Sequence, residues 1–141
     1  MILGIVGSEG KKFTAETEYM ARAHIRNLLT NDITKVVSGG CHLGGIDIWA
    51  VEEAKDWGLE IEEFYPYTYQ WTTGYKPRNI QIASASDKVV CITVATLPST
   101  YSGMRFPKCY HCNTDTHVKS GGCWTVKYAR GIGKQGEIIV L

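Results

Sequence analysis

The chain has 141 residues, 44% hydrophobic and 21% charged, with a formal net charge of +1. That length suits one domain, 1–141, with a buried core. The near-neutral balance gives no global attraction for nucleic acid or an anionic membrane. No apolar run reaches the roughly 20 residues that a membrane-spanning helix needs. The opening Met1-Ile2-Leu3-Gly4-Ile5-Val6-Gly7 lacks the basic flank and apolar length of a signal peptide. The expectation is a cytoplasmic protein in a reducing compartment, where five cysteines point to metal binding or catalysis before disulfides.

Residues 2–6 form a short apolar run closed by Gly7, which predicts a buried strand. A helix is expected over 14–29, because Ala21, Ile25, Leu28 and Leu29 share one face. The second strand covers 35–38 and runs into Gly39-Gly40. Ile46, Trp49, Ala50, Ala54 and Trp57 keep helical spacing, with Gly58 as a C-terminal cap. A third strand follows at 59–64, then an aromatic turn-rich stretch at 65–76. Pro77 opens a short helix over 77–86. A fourth strand occupies 88–94. The stretch 95–120 has no clear periodicity, Gly121-Gly122 opens a final helix to about 132, and 137–141 is the last strand.

This alternation predicts a Rossmann-like three-layer α/β/α fold with a parallel five-stranded sheet. Right-handed crossovers favour the order 3-2-1-4-5, with a Cys/His-rich insert at about 96–120 before the last helix. Ligands in such sheets sit outside the carboxyl ends of the strands, at the switch in strand order. That places the Gly7-Ser8-Glu9-Gly10 turn, the Ser38–Asp47 loop, the Gly74 turn and Ser120-Gly121-Gly122-Cys123 at one end. Glycine lets backbone amides approach an anion, and a helix start adds a favourable dipole, so phosphate is the natural occupant. The same glycines could instead serve only tight strand-to-helix turns. No Walker-type Gly-Lys-Ser/Thr is present.

Several pieces occur in a familiar order: Ile5-Val6-Gly7-Ser8; Val36-Val37-Ser38-Gly39-Gly40 with Asp47 and Ala50; Gly74 with Arg78-Asn79; Ala85-Ser86-Asp87-Lys88-Val89-Val90; and Ser120-Gly121-Gly122 with Thr125. Together they resemble the SLOG superfamily of Rossmann-like proteins, which includes the LOG enzymes and DprA, and most of all its YspA/YpsA-related branch. The resemblance covers nearly the whole chain. It implies binding of a nucleotide or nucleotide-derived small molecule and a homo-oligomeric assembly. It implies Gly7, Ser8, Gly39, Gly40, Asp47, Arg78, Asn79, Gly121, Gly122 and Thr125 as pocket residues. LOG enzymes carry Pro-Gly-Gly-x-Gly-Thr-x-x-Glu, whose Glu serves cleavage of an N-glycosidic bond. Here Trp124 replaces a glycine of that motif and Tyr128 stands at the Glu position. Binding without LOG-type turnover is therefore the leading expectation.

Arg78 offers a fork of donors for phosphate, and Asp47 could accept from ribose hydroxyls or sit simply as a charge in the first turn of a helix. Glu9 and Asp47 are the candidate catalytic carboxylates, and Asp115 is a third. Cys41 reads as pocket lining, since an adjacent Cys41-His42 pair rarely aligns for nucleophilic chemistry. Trp124 and the alternating Tyr65, Tyr67, Tyr69, Trp71 and Tyr75 could stack on a base or cover an edge.

Cys109, Cys112, His117 and Cys123 follow C-x2-C-x4-H-x5-C spacing, a set suited to structural zinc. Cys109 and Cys112 are the firmest ligands, then His117. Cys123, His111 and Asp115 compete for the fourth place. The spacing is one residue from that of a zinc knuckle, so a zinc-stabilised binder of single-stranded nucleic acid is an alternative. A hydrolase of N-glycosidic or phosphoester bonds in nucleotides is another.

Overall fold

In the computed structural model, which describes residues 1–141, strands and helices alternate as expected. They are β1 (Ile2–Gly7), α1 (Ala15–Leu28), β2 (Lys35–Gly39), α2 (Ile46–Asp56), β3 (Glu60–Phe64), α3 (Lys76–Ala85), β4 (Lys88–Thr93), α4 (Gly121–Gly131) and β5 (Gln135–Val140). All pairings are parallel, and the strand order is β3-β2-β1-β4-β5.

The period-two alternation of strand side chains divides the apolar residues between two layers. Leu3, Ile5, Val36, Val90 and Ile92 pack under Ala21, Ile25, Trp49 and Ala50 of α1 and α2. Val6, Val37, Val89 and Cys91 face Ile82, Ala83, Val126 and Ala129 of α3 and α4. The central strands are buried on both faces, which is why they read as continuous apolar runs. β3 and β5 are edges and carry Glu60, Glu62, Glu63 and Glu137 among partly buried positions.

Local signals explain the boundaries. Thr14 caps α1: its hydroxyl accepts from the Thr17 N–H at 3.1 Å, and its own N–H donates to Thr17 Oγ1 at 2.8 Å. The nearly buried Glu53 of α2 holds Arg22 at 3.5 Å and Arg26 at 3.1 Å, tying α1 to α2. Pro77 lies in the first turn of α3 as expected. Two boundaries differ from the sequence pattern. A turn of π-helix, Trp71–Tyr75, leads into α3 where only an irregular stretch was expected. β5 begins at Gln135, because edge pairing of Lys88 with Gln135 and Val89 with Gly136 recruits residues without apolar character.

No helix is long and apolar enough to cross a membrane.

Candidate functional site

The carboxyl ends of β1, β2 and β4 open on a cleft of about 540 Å³. Its walls come from separate parts of the chain: Gly7, Ser8, Glu9 and Lys12 after β1; Cys41 and Leu43 after β2; Trp71, Tyr75 and Asn79 at the start of α3; and His111, Lys119, Ser120 and Gly121 at the end of the insert. The glycine-bearing turns therefore converge on one space, at the switch point of the sheet.

Two cations line it. The Lys12 Nζ donates to the Lys119 carbonyl at 3.1 Å. Burial pushes the Lys12 ammonium down from its ordinary value, Glu9 opposes that shift, and the Lys119 charge adds to it. The Lys119 ammonium stands 4.7 Å from the Phe106 ring centre, and an anion in the cleft would relieve the repulsion between the two cations. Beside them, Ser120 caps α4 by accepting from the Gly122 N–H at 3.3 Å. A side chain added at Gly121 would meet nothing within 4 Å, so the helix start is open to the cleft. The lysines were not legible as site residues. Lys12 sits in a polar turn and Lys119 in the insert, and only the fold brings them together.

Other expected residues fall in different places. Ser8 lines the cleft, but its hydroxyl pairs with Thr93 Oγ1 at 2.8 Å and its N–H donates to the Ile92 carbonyl at 3.2 Å. The Gly39-Gly40 pair does not line the cleft: Arg78 and Asp47 press on Gly39, and the Tyr65 ring covers Gly40. Arg78 lies buried behind the cleft wall, its Nε donating to Asn79 Oδ1 at 2.8 Å and its guanidinium 5.4 Å from the Tyr75 ring centre. Asp47 is buried beside it. Asp47 Oδ1 and Arg78 Nη1 are the buried side-chain polar atoms without a hydrogen-bond partner. Burial lifts the Asp47 carboxyl to about 7 against the pull of Arg78. The second glycine loop serves close packing. Gly45, at φ 87°, presses on the backbone of Ser8, Glu9 and Gly10 and holds the first and second turns together. Gly122 is buried against Cys91 and Gly7, and Thr125 is buried, donating to the Gly121 carbonyl at 3.5 Å.

Of the candidate carboxylates, only Glu9 lines the cleft, where Tyr101 Oη donates to it at 3.1 Å. Burial, with the Asp47 charge adding to it, pushes the Cys41 thiol up, and His42 stacks on Tyr69 at 4.1 Å. Neither observation supports an activated thiolate.

Next to the cleft, the ligand atoms of Cys109, Cys112, His117 and Cys123 all lie within 4.8 Å of one another, so the group could hold a metal ion. All five cysteines are free thiols. The fourth member is Cys123: Asp115 is exposed and His111 lines the cleft instead. The Cys109 backbone pairs with Thr114, its N–H donating to the Thr114 carbonyl at 2.8 Å. Asn113, at φ 53°, makes the reversal that aims Cys109 and Cys112 at one point. His117 Nε2 lies 3.6 Å from Cys123 Sγ, while its Nδ1 is 3.2 Å from the Thr116 hydroxyl, which fixes the ring. Burial lowers the His117 pKa and so keeps the imidazole neutral, as a ligand must be.

The thiols are unequal. Burial opposes the Cys109 thiolate, but backbone N–H groups of Ser120, Cys112 and His111 outweigh it and bring the thiol below its ordinary value. Burial and the neighbouring Cys123 push Cys112 up to about 12. Contact with Cys91, then burial, raises Cys123 as well. Three crowded thiols, two of which resist ionisation, are an arrangement that a divalent cation relieves. Cys123 belongs to the same turn of α4 as Ser120 and Gly121, so the cluster and the cleft share a wall.

The sequence was compared with family models and with curated proteins, and none matches.

Proposed function

We propose that the protein binds a nucleotide or nucleotide-derived small molecule in the cleft, with its phosphate between Lys12, Lys119 and the open start of α4 at Gly121. One observation carries this reading: two cations and an uncovered helix N-terminus line a single cleft at the switch point of the sheet. The resemblance to the SLOG superfamily belongs to the same proposal, and the strand order is compatible with it. So does a homo-oligomer, for which the exposed Tyr65, Tyr67 and Tyr69 after β3 offer an aromatic surface.

The metal of the proposal is zinc in a structural role. Zn–S bonds of about 2.3 Å in a tetrahedron need ligand atoms about 3.8 Å apart. The 3.6 Å between His117 Nε2 and Cys123 Sγ suits that. Four protein ligands leave no open position for substrate.

A sensor or binding protein fits better than a hydrolase. Tyr128 replaces the LOG-type Glu, and Glu9 alone among the candidate carboxylates lines the cleft. The test is to incubate metal-loaded protein with AMP, NAD and cyclic nucleotides, following the melting temperature and the products together. A rise in Tm without products is the expected result. Release of free base or phosphate would convert the reading to the hydrolase. Binding of single-stranded oligonucleotide alone, with steep salt dependence, would replace it with a nucleic-acid binder.

A further inference from the structure

We propose that the cleft's ligand also carries a planar heteroaromatic ring, which docks in a second, adjoining cavity walled by Tyr110, Trp124 and Tyr128. One molecule is then held at both ends. This inference rests on the phosphate-binding reading of the cleft and assigns the other half of the ligand.

The second cavity, of about 360 Å³, is lined by Tyr110, His111, Trp124, Lys127 and Tyr128. It adjoins the cleft, with His111 as a shared wall. Trp71 of the cleft also meets Trp124 of the second cavity edge-on, with ring centres 5.2 Å apart and planes at 87°. Lys119 stands on the cleft side of His111 and Lys127 on the other.

The wall chemistry selects the ring. Trp124 and Tyr128 stack with centres 5.3 Å apart and planes at 14°, an ordinary pairing at i and i+4 on α4. Tyr110 comes from the Cys109–Cys112 turn, packs edge-on against Phe106 with ring centres 5.3 Å apart, and stays 51% exposed as a further wall of the cavity. Electron-rich rings around a concave space of this size favour a flat, electron-poor partner such as a nucleobase. Lys127 Nζ donates to the His111 carbonyl at 2.5 Å and has two further donors for ring acceptors. The tyrosines after β3 are less suited. Tyr69 stacks on His42 and, at 6.2 Å, on Tyr75, while Tyr65 covers Gly40.

The experiment is calorimetric titration of the metal-loaded full chain with AMP and, separately, with ribose 5-phosphate, which has the phosphate and sugar but no base. The wild-type protein is expected to bind AMP about 10-fold or more tightly than ribose 5-phosphate. Tyr110→Ala and Tyr128→Ala should each weaken AMP about 10-fold and leave ribose 5-phosphate unaltered. Tyr110 is exposed, so its variant tests the wall without disturbing the core, and Lys119→Ala should weaken both ligands. Equal affinity of the two ligands in the wild type, or tyrosine variants that alter both ligands or neither, overturns the inference. If AMP binding depends on Lys119 but ignores both tyrosines, the second cavity is wrong and the phosphate site stands. If neither ligand binds the wild-type protein, both readings fall.

Discussion

The sheet scaffold and the insert between β4 and α4 are held by different physics. In the scaffold, apolar side chains from every layer interlock, and Ile5, Ile25, Ile46, Val90 and Ile92 are fully buried. In the insert, the buried residues of 95–119 are Cys109 and His117, both members of the metal-ligand cluster. The rest is tied by polar contacts, such as Arg105 donating to the Pro98 and Tyr101 carbonyls at 3.0 Å, and by the Val118 N–H returning to the Val94 carbonyl at 3.0 Å. A stretch with so little apolar burial gains little to offset its own ordering entropy, and a metal held by the cluster would supply what the side chains do not. The lesson is a division of labour: the hydrophobic sheet places one wall of the cleft, and the Cys/His cluster places the other.

That contrast can be broken in order of expected effect. Removing the metal with a chelator, or by Cys109→Ser, should release the insert and lower stability by about 4 kcal/mol at free metal 1,000-fold above its dissociation constant. Limited proteolysis should then cut within 95–119, and an insert that stays protected would show that it needs no metal. Ile92→Ala should cost about 3 kcal/mol in urea unfolding, by leaving a cavity under α1 and α2, yet keep one metal per chain. Metal loss in that variant would mean the two regions are not independent.

A smaller effect concerns Asp47. Its folded pKa, about 7, lies above the ordinary 3.8, so between those values the folded state holds a proton that the unfolded chain has released. Stability should therefore fall by about 1.4 kcal/mol per pH unit as pH rises from 4 to 7 and then level off. Asp47→Asn should lack that slope in urea titrations. Equal slopes in the two proteins would place the carboxyl in a wetter setting than its burial implies. Smallest, Lys12→Ala should weaken AMP by about 10-fold without changing metal content. Unchanged affinity would move the phosphate elsewhere.

The architecture was legible because its signals are local and repeated. Apolar strands such as 88–94, turn glycines and helical periodicity alternate strictly, and handedness then leaves few topologies. The Cys/His cluster was legible from spacing, although its fourth member emerged only when α4 brought Cys123 to His117. The convergence of the glycine-bearing turns on one cleft was legible, but which glycines line it was not. A glycine announces that something comes close, not what comes close. At Gly39 it is Arg78, at Gly40 Tyr65, at Gly45 the neighbouring backbone, and only Gly121 faces open space at the cleft. Lys12 and Lys119 left no trace in the pattern, because two exposed-looking lysines separated by most of the chain become partners only through the fold.

The most direct test of the cleft is a two-dimensional amide NMR titration of the metal-loaded protein with AMP. Progressive, saturable shifts at Ser8, Glu9, Ser120 and Gly121, with the edge strand β5 undisturbed, are the predicted result. Saturable shifts confined to other surfaces, or none at millimolar AMP, would contradict a phosphate site at the start of α4.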